Sequence, residues 1–381
     1  MKNALKELEE LGQSIWYDNI SRSLVTSGAL RRLVDEGLLG MTSNPTIFDK
    51  AISGSTDYDT QLRDILMKNA GASTAEIIQA LMVKDIQMAA DVLSVAYDRT
   101  GGGDGYVSVE VTPTKARDTE ATNAEVRQLA SRIDRKNVMV KIPATKEGLP
   151  AITRAISEGY NINVTLIFSV RRYREVAEAY IAGLEQRAKE GKTVSGIASV
   201  ASIFVSRIDT LVDDLLGKKI AGEKDPAAAS PLKGLLGKVA VANTKLVYQA
   251  FKEIFESPRF APLRAKGAKV QRPLWASTGT KNPAYSDLLY VETLIGPDTV
   301  NTVPPATYAA ILDHSHPART VESDLEGAKN VLAGLAASGI DINAVTDKLE
   351  EDGVAAFEKS FDGLATFLQQ KKVRSAEVTA G

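Results

Sequence analysis

The sequence predicts an α/β chain folded as a (β/α)8 TIM-type barrel with additional C-terminal helices. Three observations carry this. Eight short apolar runs are spaced along the chain, amphipathic segments of helical period separate most of them, and polar residues gather at the ends of the runs. Strands alternating with helices imply parallel pairing. Eight such strands imply closure, with the functional residues at or just beyond the strand C-termini. A doubly wound open sheet is the structural alternative, and the number of runs favours the barrel.

In chain order, Ser14–Ile20 predicts the first strand, and Ser23–Glu36 has helical spacing ending at Gly37. Leu38–Ser43 is the second strand, stopped by Asn44-Pro45. Glu76–Arg99 predicts a long helix, with Ser73 and Glu76 spaced as a capping box. Tyr106–Val111 alternates as a third strand, Val138–Ile142 is the fourth and Asn163–Phe168 the fifth. A sixth strand is expected to start in Ser195–Val200, a seventh at Pro273–Ser277 and an eighth at Val291–Ile295. Helices are expected between them at Thr119–Arg135, Glu147–Glu158, Ser169–Lys189 and Lys238–Phe255, with Gly222–Ser230 as an inserted loop. Two further helices, Val321–Ala337 and Asn343–Lys371, are expected to pack over the barrel, so that residues 1–381 form one unit.

Composition narrows the function. The 381 residues are 44% hydrophobic, enough for a large core. Lysine and arginine number 46 against 48 acidic residues, and the net charge of -2 gives no electrostatic reason for nucleic acid or an anionic membrane as a partner. Without cysteine there is no disulfide framework, thiolate nucleophile or cysteine-ligated zinc. The charged, amphipathic N-terminus lacks the apolar centre of a signal peptide, and no run has the length of a membrane span. A cytoplasmic protein, monomeric or homodimeric, is expected.

The polar residues at the strand ends are Asp18, Asn44, Glu110, Lys141, Asn163, Thr165 and Ser277. In Val138-Met-Val-Lys-Ile142 the aliphatic residues share one face, and Met139 and Lys141 the other. If the aliphatic face meets the outer helices, Lys141 points into the barrel. Burial disfavours a charged amine, and a neutral amine can attack a carbonyl and form an imine. A lysine reaching solvent from the strand edge is the plainer account. Glu110 and Asp18 are candidate proton-transfer groups. Against that, Asp18 could serve as a helix cap or turn residue before Ser21, and Glu110 could form a structural ion pair with Lys141 or Lys115. Arg207, after the run Ser202-Ile-Phe-Val205, and Lys281, in the donor-rich loop after Ser277, are candidate phosphate contacts or solvated surface charges. Gly101-Gly-Gly-Asp-Gly105 follows a helix and precedes a strand, the reverse of a dinucleotide fingerprint. His314 and His316 read as a solvated loop, and no metal or organic cofactor is expected.

Three segments, in this order, resemble the transaldolase family: Gly40-Met-Thr-Ser-Asn-Pro-Thr-Ile-Phe48, Val138-Met-Val-Lys-Ile-Pro-Ala-Thr-Lys-Glu-Gly-Leu149 and Asn163-Val-Thr-Leu-Ile-Phe-Ser169. The resemblance runs from Asp18 to at least Lys281. It implies transfer of a dihydroxyacetone unit from a ketose phosphate to an aldose phosphate, within the pentose phosphate pathway. It further implies that Lys141 forms the imine and that Asp18 moves the proton of the hydroxyl beside the cleaved bond. Glu110 would act through a water with help from Thr165, and Asn44 and Asn163 would hold the sugar and the imine region. Ser202, Phe204 and Arg207 match the sixth-strand segment, with Arg207 gripping phosphate. Many members place an arginine shortly after the serine matching Ser277; here the loop is longer and carries Lys281. Rival readings are a shorter-chain type of Schiff-base aldolase, many of which have tyrosine where Phe204 stands, and a non-catalytic sugar-phosphate-binding barrel.

Overall fold

β-Branched and aromatic residues dominate eight short segments whose neighbours in sequence pair in parallel. The computed structural model describes residues 3–380, with side chains for 3–373. The strands are β1 (Gln13–Asp18), β2 (Gly40–Thr42), β3 (Tyr106–Glu110), β4 (Val138–Pro143), β5 (Ile162–Ile167), β6 (Ser199–Phe204), β7 (Arg272–Ala276) and β8 (Thr299–Val303). They close in sequence order, with β8 returning to β1 through Gln13↔Thr299 to Tyr17↔Val303. The predicted (β/α)8 barrel is the observed fold. No helix among the described residues is long and apolar enough to cross a membrane.

β6 begins at Ser199, within the expected Ser195–Val200 and in register with Ile162. The eighth strand differs from expectation. β8 is Thr299–Val303, and the expected Val291–Ile295 instead holds the end of a short Leu289–Glu292 helix and the turn after it. That apolar run packs on the outside of the sheet, where Trp275 Nε1 and Asn301 Nδ2 donate to the carbonyls of Leu294 (2.9 Å) and Tyr290 (3.2 Å). Its burial gives it the composition of a strand, whereas the real strand, Thr-Val-Asn-Thr-Val, is half polar.

Smaller corrections have local causes. The expected Ser23–Glu36 helix is two, Arg22–Thr26 and Ala29–Glu36, because the chain turns at Gly28 with φ 76°. The expected 222–230 loop is short, since a second helix starts at Pro226 under an Asp225 cap. His314 ends the Pro305–His314 helix, and both histidines are exposed. The capping box is present, with Ser73 N donating to Glu76 Oε2 (2.8 Å) and Glu76 N to Ser73 Oγ (3.3 Å).

Alternation along the strands layers the barrel interior. At the N-terminal end, Asp104 accepts from Ser14 (2.7 Å), Trp16 Nε1 (2.8 Å) and Arg272 (3.1 Å). Trp16 and Tyr106, with ring centroids 6.3 Å apart, belong to the next layer. The C-terminal end is polar. Over it runs the Ile342–Ala380 helix. Leu166, with φ 59°, sits at the β5–β6 register shift and abuts Gly353, where a Cβ would come within 2.8 Å of Leu166 Cδ2. The helix is also tied down by Ser360 to Thr46 (2.8 Å) and by Arg172 to Glu350 (3.0 Å).

Candidate active site

Strand register sets the polar level. Glu110 stands beside Lys141, Lys141 beside Asn163, and Asp18 beside Thr42. Lys141 is only 4% exposed, pointing inward as the alternation predicts. Its Nζ donates to the Ser43 carbonyl at 3.0 Å and lies 3.5 Å from Glu110 Oε2. Lys115, the other partner considered for Glu110, pairs instead with Glu125 at 3.2 Å.

Glu110 is buried, and neither of its carboxylate oxygens accepts a hydrogen bond. Burial pushes its carboxyl up to about 7; the Lys141 charge opposes that rise and the Asp18 charge adds to it. Such a group exchanges protons near neutrality. Asp18 is also pushed up by burial, opposed by Lys141, by the Thr42 hydrogen bond and by the more distant Lys281 and Arg207. The Thr42 hydroxyl donates to Asp18 Oδ1 at 2.7 Å and lies 2.6 Å from the Thr302 hydroxyl of β8. Asp18 thus sits between two neighbouring strands that share one hydroxyl chain.

Asn163 is fixed on both sides: its Nδ2 donates to Ser108 Oγ (3.0 Å) and its Oδ1 accepts from Ser202 Oγ (2.7 Å). Thr165 lies two residues further along the same inward face, its buried hydroxyl without a partner. Asn44 caps the Pro45–Ser53 helix by accepting from Ile47 N at 3.0 Å. Phe204 packs on Phe168 (5.4 Å between centroids), and the Arg207 guanidinium lies 5.3 Å over its ring. Arg207 is the second residue of the Ser206–Gly222 helix, and burial lowers its pKa from the usual value. Ser277, with φ 55°, has its hydroxyl 3.0 Å from that of Ser206. Lys281 is exposed at the rim.

A cavity of about 200 Å³ opens here, and its wall holds Asp18, Asn44, Lys141, Ser202, Phe204, Arg207, Ser277 and Lys281. Glu110, Asn163 and Thr165 are buried at the same end of the barrel but do not reach this wall. Sequence reasoning missed Thr42, Thr302, Lys50 and Phe357, which do. Thr42 was legible, being two residues from Asn44 in the same motif and ending a strand. Thr302 was hidden with β8. Phe357 carries no local signal, because only the path of the last helix brings it to the barrel.

Two larger hollows lie elsewhere, of about 540 Å³ at the N-terminal end of the barrel and about 460 Å³ among the outer helices. Their cations are committed: Arg272 bonds Asp104, Ser14 and the Thr299 carbonyl, Arg171 pairs with Asp347, and Arg174 pairs with Glu253. In the smaller cavity, by contrast, neither Arg207 nor Lys281 has an ion-pair partner among the described residues. No cluster of three or more histidine or acidic side chains suited to a metal occurs among the described residues.

A family model described as Transaldolase/Fructose-6-phosphate aldolase matches residues 15–368. The chain is 48% identical over 372 residues to a protein named Transaldolase from Trichodesmium erythraeum, covering 97% of each. It is 48% identical over 373 residues to Transaldolase 2 of a Nostoc species, again covering 97% of each. Against Transaldolase of Saccharopolyspora erythraea the identity is 47% over 369 residues, with 96% of this chain and 97% of the relative covered.

Proposed function

The chain belongs to the transaldolase/fructose-6-phosphate aldolase family, and from that premise we propose that it moves a dihydroxyacetone unit between sugar phosphates through an imine on Lys141. The donor is a ketose phosphate such as sedoheptulose 7-phosphate or fructose 6-phosphate. The acceptor is an aldose phosphate such as glyceraldehyde 3-phosphate or erythrose 4-phosphate, placing the reaction in the pentose phosphate pathway. The observation that carries this reading is a buried amine, at the wall of a polar cavity, beside two carboxyls raised by burial.

Lys141 in its neutral form adds to the ketose carbonyl, and Glu110, working through a water with Thr165, supplies the proton on which the former carbonyl oxygen leaves as water. The protonated imine is the electron sink. Asp18 takes the proton of the hydroxyl next to the bond to be cleaved; that bond breaks, its electron pair passes into the imine, and the shorter aldose phosphate departs. The remaining three-carbon enamine attacks the incoming aldehyde, and Asp18 returns its proton to the new alkoxide. Water then releases the lengthened ketose. Asn163 and Asn44 hold the imine region and the hydroxyls, and Ser202 fixes Asn163. Arg207 and Lys281, cations without carboxylate partners, hold the phosphate of donor or acceptor. Phe357 and Phe204 present apolar surface to the cavity and disfavour premature hydrolysis of the enamine.

Borohydride reduction with fructose 6-phosphate should add a three-carbon unit to the peptide containing Lys141. Adduct on another lysine, surviving in Lys141→Ala, refutes the assignment. Release of free dihydroxyacetone in preference to transfer would favour an aldolase.

A further inference from the structure

The segment between β7 and β8 carries Lys281 on an exposed stretch, yet both of its flanks are anchored. At its base, Ser206 N donates to the Ser277 carbonyl (3.1 Å), and the Thr278 hydroxyl donates to Asn301 Oδ1 (2.8 Å). Beyond Lys281 the loop closes on itself, with Thr280 Oγ1 donating to the Ser286 carbonyl (2.8 Å) and Tyr285 N to the Asn282 carbonyl (3.1 Å). Two tyrosines then reach back to the Ser206–Gly222 helix. Tyr285 OH donates to Asp213 Oδ2 at 2.7 Å, and Tyr290 OH to Asp209 Oδ2 at 2.8 Å.

The second oxygen of each aspartate is also committed. Asp213 Oδ1 accepts from Gly237 N (3.0 Å), and Asp209 Oδ1 from Ala240 N (2.8 Å). Gly237 has φ 67°, and a Cβ there would come within 2.6 Å of the Tyr285 ring, so the ring lies directly on its backbone. The helix that holds these two aspartates also holds Arg207 at its second position. One rigid element therefore places one phosphate cation directly and the loop of the other through a tyrosine.

We propose that Tyr285, held by Asp213, is a positioning residue that fixes Lys281 relative to Arg207 and so sets recognition of the substrate phosphate. The proposal rests on the reading of Lys281 as a phosphate contact. A lysine on a free loop has to be ordered when the phosphate binds, which costs affinity; a loop ordered beforehand avoids that cost. The clamp lets a longer loop bearing lysine stand opposite an arginine on a helix. Tyr285 itself touches no substrate, since it is absent from the cavity wall that includes Gly279 and Lys281.

The test uses the full chain with Tyr285→Phe, Lys281→Ala and the double variant. KM and kcat are measured for glyceraldehyde 3-phosphate and for unphosphorylated glyceraldehyde as acceptors, together with inhibition by inorganic phosphate. Tyr285→Phe keeps the ring on Gly237 and removes only the hydroxyl. It should raise KM for the phosphorylated acceptor and Ki for phosphate about three- to tenfold, the loss expected for one hydrogen bond acting indirectly. For unphosphorylated glyceraldehyde kcat/KM should stay within about twofold, and in the Lys281→Ala background Tyr285→Phe should add less than about twofold. Additive losses, or equal losses on both acceptors, overturn the clamp. So does a normal KM in Tyr285→Phe while Lys281→Ala is impaired. If Lys281→Ala itself leaves the phosphorylated KM unchanged, the phosphate reading of Lys281 fails and the clamp falls with it. Melting curves of each variant separate these outcomes from misfolding.

Discussion

At the residue scale, the direction of Lys141 was legible because strand alternation is strict: one aliphatic face in Val-Met-Val-Lys-Ile sends the amine inward. The partners of Asp18 were not, because they are hydroxyls on separate strands, and threonine in a strand ordinarily marks only β propensity. The Thr302–Thr42–Asp18 chain makes a definite pH prediction. In the proposed mechanism Asp18 has to be ionised to take its proton, so activity should fall as pH drops through its pKa. The Thr42 bond favours the ionised form and holds that pKa down against burial. In Thr42→Val the pKa rises further, and the acid limb of kcat should move to higher pH by about one to two units, the equivalent of one hydrogen bond to a charge. Thr42→Ser should restore the profile, and Thr302→Val should shift it the same way by less. An unmoved acid limb in Thr42→Val would remove Asp18 as the titrating group.

At the element scale, the Ser206–Gly222 helix decides more than its sequence suggests. Its start after the Ser202–Val205 run was foreseen as the place of Arg207, but its hold on the β7–β8 segment was not, since Asp209 and Asp213 look like ordinary solvated helix acids. Both are committed to tyrosines, and burial lifts Asp209 to about 6. The eighth strand was misplaced for a related reason. Apolar content marks burial, not strand, and the Val291–Ile295 run is buried outside the barrel. Because Arg207 projects from the helix start and not from the imine level, its loss should be selective. Arg207→Ala should raise KM for phosphorylated sugars by about one to two orders of magnitude, the worth of one or two charge-assisted bonds. Unphosphorylated donors should be nearly unaffected. Steady-state kinetics on both classes decides it, and an equal loss on both would mean that Arg207 supports the fold or the chemistry.

At the scale of the whole molecule, the two ends of the barrel divide the labour. At the C-terminal end Arg207 and Lys281 have no ion-pair partner among the described residues, whereas the N-terminal end commits Arg272, Ser14 and Trp16 to Asp104. Asp104→Ala leaves a mostly buried guanidinium without its carboxylate and should cost about 3–5 kcal/mol of stability. KM and the pH profile of the folded enzyme should not change; denaturant titration beside kinetics checks both, and a changed KM would mean that the two ends are coupled. Closure of the sheet in chain order was legible from the count of strand–helix units, but its sealing partner was not. That partner has a temporal meaning. β1 meets β8 only when residues 286 apart in sequence are brought together, and the hydroxyl chain at Asp18 spans 260 between Thr42 and Thr302. Contacts of such long range form late in folding. On the proposed roles, the nascent chain therefore carries Lys141, Arg207 and Lys281 before Thr302 arrives to complete the hydroxyl chain at Asp18. During refolding, recovery of turnover should follow the slowest phase, after most of the helical signal has returned.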